Sequence, residues 1–259
     1  MKAIQEHFSE IASEYSMLRI IDLEPILYIS KQFNGLPKIQ AADVGCGTGR
    51  YDLLLFQHLG DRLYLHCIDI NKEMLEQLNS YLTQNKIKNF KTERCLAQSL
   101  PFDDECLDCI LSFNAIHHFK IRDFLSEASR ILRHSGYLFI YTRTRTQNSR
   151  NIWGKFFPLW NEREKRLYEV DEFRDILREF PKLEIKKTVF FSYKRASSLN
   201  RVVKQARGHH YSTFCFYNED EYRKSLDQFI ESLQLNFQDS NHITWHDENI
   251  LYVIKKQVD

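Results

Sequence analysis

From Lys38 onward, short apolar runs alternate with stretches whose apolar residues recur at helical spacing. Ile39–Val44, Leu63–Ile70, Phe90–Leu96, Leu107–Phe113 and Tyr137–Thr142 read as strands. Between them, Tyr51–Leu59, Lys72–Asn85 and Phe124–Arg133 read as helices. In the last of these, Phe124, Leu125, Ala128, Ile131 and Leu132 form the apolar positions. Strands alternating with helices of about 10–15 residues predict right-handed βαβ units and a parallel sheet, so the chain belongs to the α/β class.

The last hundred residues carry a different pattern. Val170–Phe180 reads as helix, Leu183–Tyr193 as strand and Glu219–Leu233 as helix. In Ile243–Lys255 the polar tetrad His246-Asp247-Glu248-Asn249 separates two β-rich runs, which makes it either a bulge or a turn joining two strands. At the other end, Ile4, Phe8, Ile11, Ala12 and Tyr15 share one helical face, which predicts a helical cap over the open edge of the sheet. No repeat and no linker long enough to separate a second domain interrupts the chain.

Composition narrows the classes. Of 259 residues 43% are hydrophobic, with 19 Phe and 13 Tyr, enough for a sizeable core. The net charge of +1 gives no global field toward nucleic acid or an anionic membrane. Residues 1–16 carry Glu6, His7, Glu10 and Glu14 and lack the continuous apolar run of a targeting peptide. No stretch approaches the roughly 18 apolar residues of a membrane span. The lone Cys106-x-x-Cys109 lacks the two further ligands of a zinc site. The expectation is a reduced, cytoplasmic protein without a metal and without a membrane partner.

The candidate chemistry lies in Ala42-Asp43-Val44-Gly45-Cys46-Gly47-Thr48-Gly49-Arg50, between the first strand and the first helix, where open α/β sheets bind ligands. Three glycines in five residues let a ligand approach the backbone closely. A dinucleotide fingerprint, G-x-G-x-x-G, needs its third glycine where Arg50 stands. A phosphate-binding G-x-x-x-x-G-K-[ST] loop needs a lysine that is missing. Asp69 closes the second strand about 20 residues on, where an acidic side chain can hold both ribose hydroxyls.

This loop resembles that of the class I S-adenosylmethionine-dependent methyltransferases, within the broad type 11 group typified by ubiquinone and menaquinone methyltransferases. Leu96-Ala97-Gln98-Ser99-Leu100-Pro101-Phe102 resembles the family's adenine-flanking stretch, and Ser112-Phe113-Asn114-Ala115-Ile116-His117-His118-Phe119 resembles the end of its fourth strand. Leu96 departs from the family pattern, which places an Asp bonded to the adenine amine there. Gln98 is the residue in reach to replace it. The resemblance covers residues 5–145. It implies a Rossmann-like, seven-stranded, mostly parallel sheet with helices on both faces, a helical N-terminal cap and C-terminal insertions. The expected division is a single domain, 1–259, with a cap at 1–35, a cofactor-binding core at 36–147, and a lid loop, insertion and final strands at 148–259. S-adenosylmethionine is the implied cofactor, with S-adenosylhomocysteine as product. The implied cofactor-binding residues are Asp43, Gly45, Cys46, Gly47, Thr48, Gly49, Asp69, Ile70, Ala97, Gln98 and Asn114.

Methyl transfer from a sulfonium is an in-line displacement, and orientation alone contributes effective molarities of about 10⁵–10⁸ M. A base is needed only where the acceptor loses a proton. His117 and His118 are the candidates, against packing for one and helix capping for the other. Substrate-facing candidates are Tyr15, Arg19, Trp153, Phe157, Arg207, His210 and Tyr211. Trp153, Phe156, Phe157 and Trp160 around Pro158 form either a lid over a planar acceptor or core. Arg195, Arg201, Lys204, Arg207, His209 and His210 form a basic run, either a solvated face or a site for an anionic group on the acceptor. The first reading is methylation of an O, N or C nucleophile on a small molecule. The second is tRNA modification, with the basic run beside the cleft. The third is a non-catalytic, cofactor-binding regulatory or partner protein.

Overall fold

In the computed structural model the early apolar runs become five strands: β1 (Ile39–Val44), β2 (Leu63–Asp69), β3 (Phe90–Arg94), β4 (Leu107–Phe113) and β5 (Leu132–Thr142). β1 pairs in parallel with β2 and β4, β2 with β3, and β4 with β5. β6 (Leu183–Ser197) and β7 (Ile243–Lys256) complete a seven-stranded sheet of order β3-β2-β1-β4-β5-β7-β6, as the resemblance implies. The strand order reverses between β1 and β4, and this switch point is where such sheets open a crevice for ligands.

The structure describes residues 2–18 and 20–258, apart from the side chains of residues 2, 3 and 14–18. The chain divides into two compact units, residues 20–142, 170–189 and 251–259 forming one and residues 1–19, 143–169 and 190–250 the other. The first, the core unit, holds helices α2 (Glu24–Lys31), α3 (Arg50–Leu59), α4 (Lys72–Gln84), α5 (Ile121–Ile131) and α9 (Val170–Leu177). The second unit holds α1 (Lys2–Leu18), α6 (Arg145–Arg150), α7 (Ile152–Phe156), α8 (Trp160–Arg163), α10 (Leu199–Arg207) and α11 (Glu219–Asn236).

In the core unit, β1 is buried at five of its six positions, which suits a central parallel strand with both faces covered. α5 turns Phe124, Leu125, Ala128 and Ile131 inward with no exposed surface, the face its periodicity predicts. Each such large side chain contributes about 1.5–3 kcal/mol on burial. The helix ends two residues earlier than Arg133. Leu132 already pairs with Leu107, and a register shift follows before Cys109 pairs with Tyr137. Ser135, at φ 66°, and Gly136 accommodate that shift. Local periodicity does not carry this irregularity.

The second unit has an aromatic core in which Trp153, Phe157, Trp160, Phe214 and Phe229 are buried together with Val202 and Ala206. Trp153 stacks on Phe229 with centroids 5.1 Å apart, and Trp160 meets Phe214 at 5.0 Å. α1 lies against the short turn Ser212–Phe216, with His7 buried and its ring 6.1 Å from that of His209. Nearby, the buried Glu164 carboxylate accepts from Thr213 Oγ1 at 2.7 Å and from Arg166 Nε at 3.0 Å. The Arg166 guanidinium also lies 4.5 Å over the Phe216 ring. A buried ion pair is tolerated only with its remaining hydrogen-bonding capacity filled in this way.

The turn reading of His246–Asn249 is corrected, because β7 runs unbroken from Ile243 to Lys256. Asp247 accepts from Arg195 Nε at 3.2 Å and from Trp245 Nε1 at 3.3 Å, and Glu248 pairs with Arg150. Polar side chains inside the strand thus find charged partners far along the chain. Among the described residues no helix is long and apolar enough to cross a membrane.

Candidate active site

The loop after β1 is tied down before any ligand is considered. Gly45 N and Cys46 N both donate to Ile68 O, at 2.8 and 3.1 Å, joining the loop to the end of β2. Gly47 N donates to Asp69 Oδ2 at 2.9 Å, while Asp69 Oδ1 accepts from Asn71 N at 2.9 Å. Asn71 in turn caps α4 by accepting from Met74 N. The Ile70 backbone N–H supports the Asp69 carboxylate as well, and the carboxylate's remaining lone-pair capacity is open to a ligand hydroxyl. At the switch point, Ser112 Oγ donates to Val44 O at 3.0 Å and fixes the end of β4 to the end of β1.

The three glycines answer three different demands. A Cβ on Gly45 would stand 2.5 Å from Ala115 Cβ, so this glycine lets the loops after β1 and β4 touch. A Cβ on Gly49 would stand 2.7 Å from Leu78 Cγ, so this one lets α3 and α4 pack. Gly47, at φ 55°, has nothing within 4 Å of its Cβ position. Packing does not account for it. The space left open at this turn, between two glycines that pack, admits a ligand passing over the chain.

Asp43 and Asp52 lie beneath this loop at 1% and 0% exposure. Oδ1 of Asp43, both oxygens of Asp52 and the Thr48 hydroxyl have no hydrogen-bond partner at normal geometry. Burial and the neighbouring Asp52 push the Asp43 carboxyl well above the usual range, and burial raises Asp52 to about 6. Burial also raises the thiols of Cys46 and Cys67, so neither is a nucleophile at neutral pH.

The segment following β3 is held from α5. Glu127 accepts from Leu100 N at 2.7 Å, and Arg130 donates to Phe102 O at 2.6 Å and to Leu100 O at 3.3 Å. Ala97 is buried, Gln98 half-buried and Leu96 41% exposed. Arg94 Nε donates to Ile70 O at 2.9 Å. Glu127, Arg130, Arg94 and Asp52 are the residues sequence reasoning missed. Glu127 and Arg130 share one face of α5, a polar pattern whose partners lie elsewhere in the chain.

Asn114, at φ 55°, follows β4 in the left-handed region that Asn tolerates, and its N–H donates to Tyr141 O at 2.7 Å. It turns the chain into the short helix Ile116–His118, where Ile116 is buried and His117 and His118 are half-buried with rings 4.1 Å apart. The structure therefore brings Asp43, Gly45 to Gly49, Asp69, Ile70, Ala97, Gln98, Asn114 and the two histidines into one unit.

The expected substrate-facing residues fare differently. Arg19 and the Tyr15 side chain lie outside the described residues. Trp153 and Phe157 are core, each 3% exposed, and His210 is buried with Nδ1 2.8 Å from Gln205 O. Tyr211 is half-buried under the Arg143 guanidinium at 5.8 Å, and Arg207 is exposed on α10. The basic run is thus no single patch, since Arg195 is paired with Asp247 and His210 is packed inside.

Residues 42–140 match the family described as a methyltransferase domain. The uncharacterised methyltransferase YcgJ of Bacillus subtilis is 30% identical over 95 residues, 36% of each chain. The malonyl-[acyl-carrier protein] O-methyltransferase of Herminiimonas arsenicoxydans is 26% identical over 137 residues, 53% of this chain and 50% of that one. The chain thus spans between a third and a half of the length of these curated relatives. The crystal structure of YcgJ superposes with a TM-score of 0.62 at 16% identity, covering 91% of this chain and 99% of that one. Residues 42–140 are thus similar to the methyltransferase-domain family, and the chain shares the fold of the solved methyltransferase structures on which it superposes.

Proposed function

We propose that this protein transfers a methyl group from S-adenosylmethionine to an O, N or C nucleophile on a small-molecule acceptor. The observation that carries this reading is the open space over Gly47, set between two glycines that packing does explain. The residues around it fit the group. Asp69 holds the loop through backbone N–H groups and offers its remaining lone-pair capacity to a ribose hydroxyl. Asp43 and Asp52 supply negative charge without a protein cation among the groups that shift them, which suits a cationic ligand. The buried backbone at Ala97, braced by Glu127 and Arg130, offers an edge for the adenine ring.

When bound, the cofactor supplies a sulfonium-activated methyl carbon. The chain's own work is then to orient and to exclude water, worth up to about 7–11 kcal/mol of barrier. His117 or His118 takes the acceptor's proton where one must leave. The dispersal of the basic run favours a small acceptor over a nucleic-acid backbone, which needs many cations on one face.

Calorimetric titration with S-adenosylmethionine and S-adenosylhomocysteine tests the cofactor, with Gly47→Asp as control. Binding of both by the wild type and of neither by the variant is expected. Turnover of small acceptors, followed by homocysteine release, tests the transfer. Unchanged affinity in Gly47→Asp refutes a ligand over Gly47, and tight binding without turnover on any acceptor class supports a non-catalytic role instead.

A further inference from the structure

Asp43 is the acidic residue the loop pattern leads one to expect, but Asp52 is not. It lies in the first turn of α3 with no exposed surface. Neither of its oxygens has a hydrogen-bond partner at normal geometry, and Oδ1 of Asp43 has none either. What stands beside Asp52 is the Asp43 carboxyl and the weak donor of the Cys67 thiol. The titratable groups coupled to the pair come from several elements. Cys46 comes from the loop after β1, Cys67 and Asp69 from β2, and Cys109 from β4. Among the described residues, the groups that shift the pair are all acidic or neutral. Two buried carboxylates side by side, with no cation among the groups shifting them, cannot both stay ionised. A single shared hydrogen resolves this, since one carboxyl then donates to the other.

We propose that Asp52 is a positioning residue for the cofactor, sharing one proton with Asp43 beneath the glycine loop, and that a cationic ligand on the loop expels this proton. The inference rests on the reading of the loop as an S-adenosylmethionine site. The balance is simple. The O–H bond of the shared carboxyl breaks, the proton passes to buffer, and the pair gains one negative charge against the ligand's positive charge. Asp52 acts through Asp43, setting how much negative charge the loop presents and at which pH. The direction of the carboxyl shifts agrees with this geometry, since burial raises both carboxyls and the neighbouring Asp52 raises Asp43 further.

The test is titration of the full chain with S-adenosylmethionine, without acceptor, in phosphate and in Tris buffer at neutral pH. The difference in apparent enthalpy counts protons released. The wild type is expected to release about one proton per ligand, with affinity rising up to about tenfold per pH unit while the pair holds its proton. Asp52→Asn replaces the shared hydrogen by an amide donor to Asp43, and is expected to bind with near-zero release and a flat pH profile. Equal release by wild type and variant, or tight binding by the wild type with none, overturns the proposal. The infrared band of a protonated carboxyl, measured in the ligand-free wild type and in Asp52→Asn, decides the matter without a ligand. Its presence in the wild type and loss in the variant is expected. If the band is present but S-adenosylmethionine does not bind, the cofactor reading fails and the coupling falls with it. If the ligand binds but the band is absent, the shared proton alone is wrong.

Discussion

Replacing each loop glycine by alanine separates packing from ligand space. At Gly49, φ is 76°, and an L side chain in the left-handed region costs about 1–2 kcal/mol. The new methyl also meets Leu78 Cγ at 2.7 Å and Cδ1 at 3.1 Å. Leu78 is fully buried, so it has nowhere to retreat, and overpacking adds about 1–3 kcal/mol. Gly49→Ala is therefore expected to lose about 2–5 kcal/mol of stability. At Gly47 the backbone is again left-handed, but the methyl projects into open space, so Gly47→Ala is expected to lose only about 1–2 kcal/mol. Urea midpoints of the two variants, read at constant m value, give the comparison. Calorimetry with S-adenosylmethionine gives the second axis, on which Gly47→Ala is expected to lose most of its affinity despite being the better folded. If both alanines unfold at the same urea concentration, the distinction drawn from the Cβ environments is wrong. If Gly47→Ala binds like the wild type, no ligand passes over that glycine.

Other perturbations probe separate parts of the chain. Arg130→Ala removes the donors to Leu100 O and Phe102 O and should weaken cofactor affinity by about tenfold, or about 1–2 kcal/mol, with the fold retained on circular dichroism. His117→Ala and His118→Ala should leave cofactor binding intact, and at least one should slow turnover on a protic acceptor by about 10²-fold or more in a homocysteine-release assay. His7 and His209 lie with Glu10, Phe8, Phe214 and Tyr222 around them, and burial and mutual repulsion lower the pKa of His7, as burial lowers that of His209. A lowered folded pKa means their contribution is present above the unfolded value of 6.5 and is lost as pH falls below it. Protease cleavage within α1 should accordingly rise between pH 7.5 and 5.5, and His7→Phe should suppress that rise.

The strands β1 and β4 were legible because parallel central strands are apolar on both faces, so Ile39–Val44 and Leu107–Phe113 stand out with sharp ends. The glycine loop and Asp69 were legible because their spacing is set by backbone geometry alone, which sequence records directly. Contacts across long separations were not. Asp247 looks like a loop residue until Arg195 arrives from β6, and Asp52 looks like an ordinary first-turn acid until Asp43 is found beside it. Arg195 and His210 seemed members of one cationic run, although one is paired and the other is packed against Trp153 at 4.8 Å. The aromatic residues 153–160 are legible as apolar, but whether they cover a ligand or one another depends on α11 and the turn at 212–216, which complete their core.

The division of the chain also sets an order in time. Its segments alternate between the units, and α1 rests on residues 212–216, which follow far along the chain. Residues 39–142, by contrast, carry β1 to β5 and every proposed cofactor contact in one uninterrupted stretch. Contacts between distant segments form slowly because their loop-closure entropy is lost before they stabilise anything. During synthesis the glycine loop therefore emerges well before the second unit can close. Cofactor present in the medium meets its loop at that early stage, and nascent chains arrested shortly after residue 142 are where its effect on folding should first be felt.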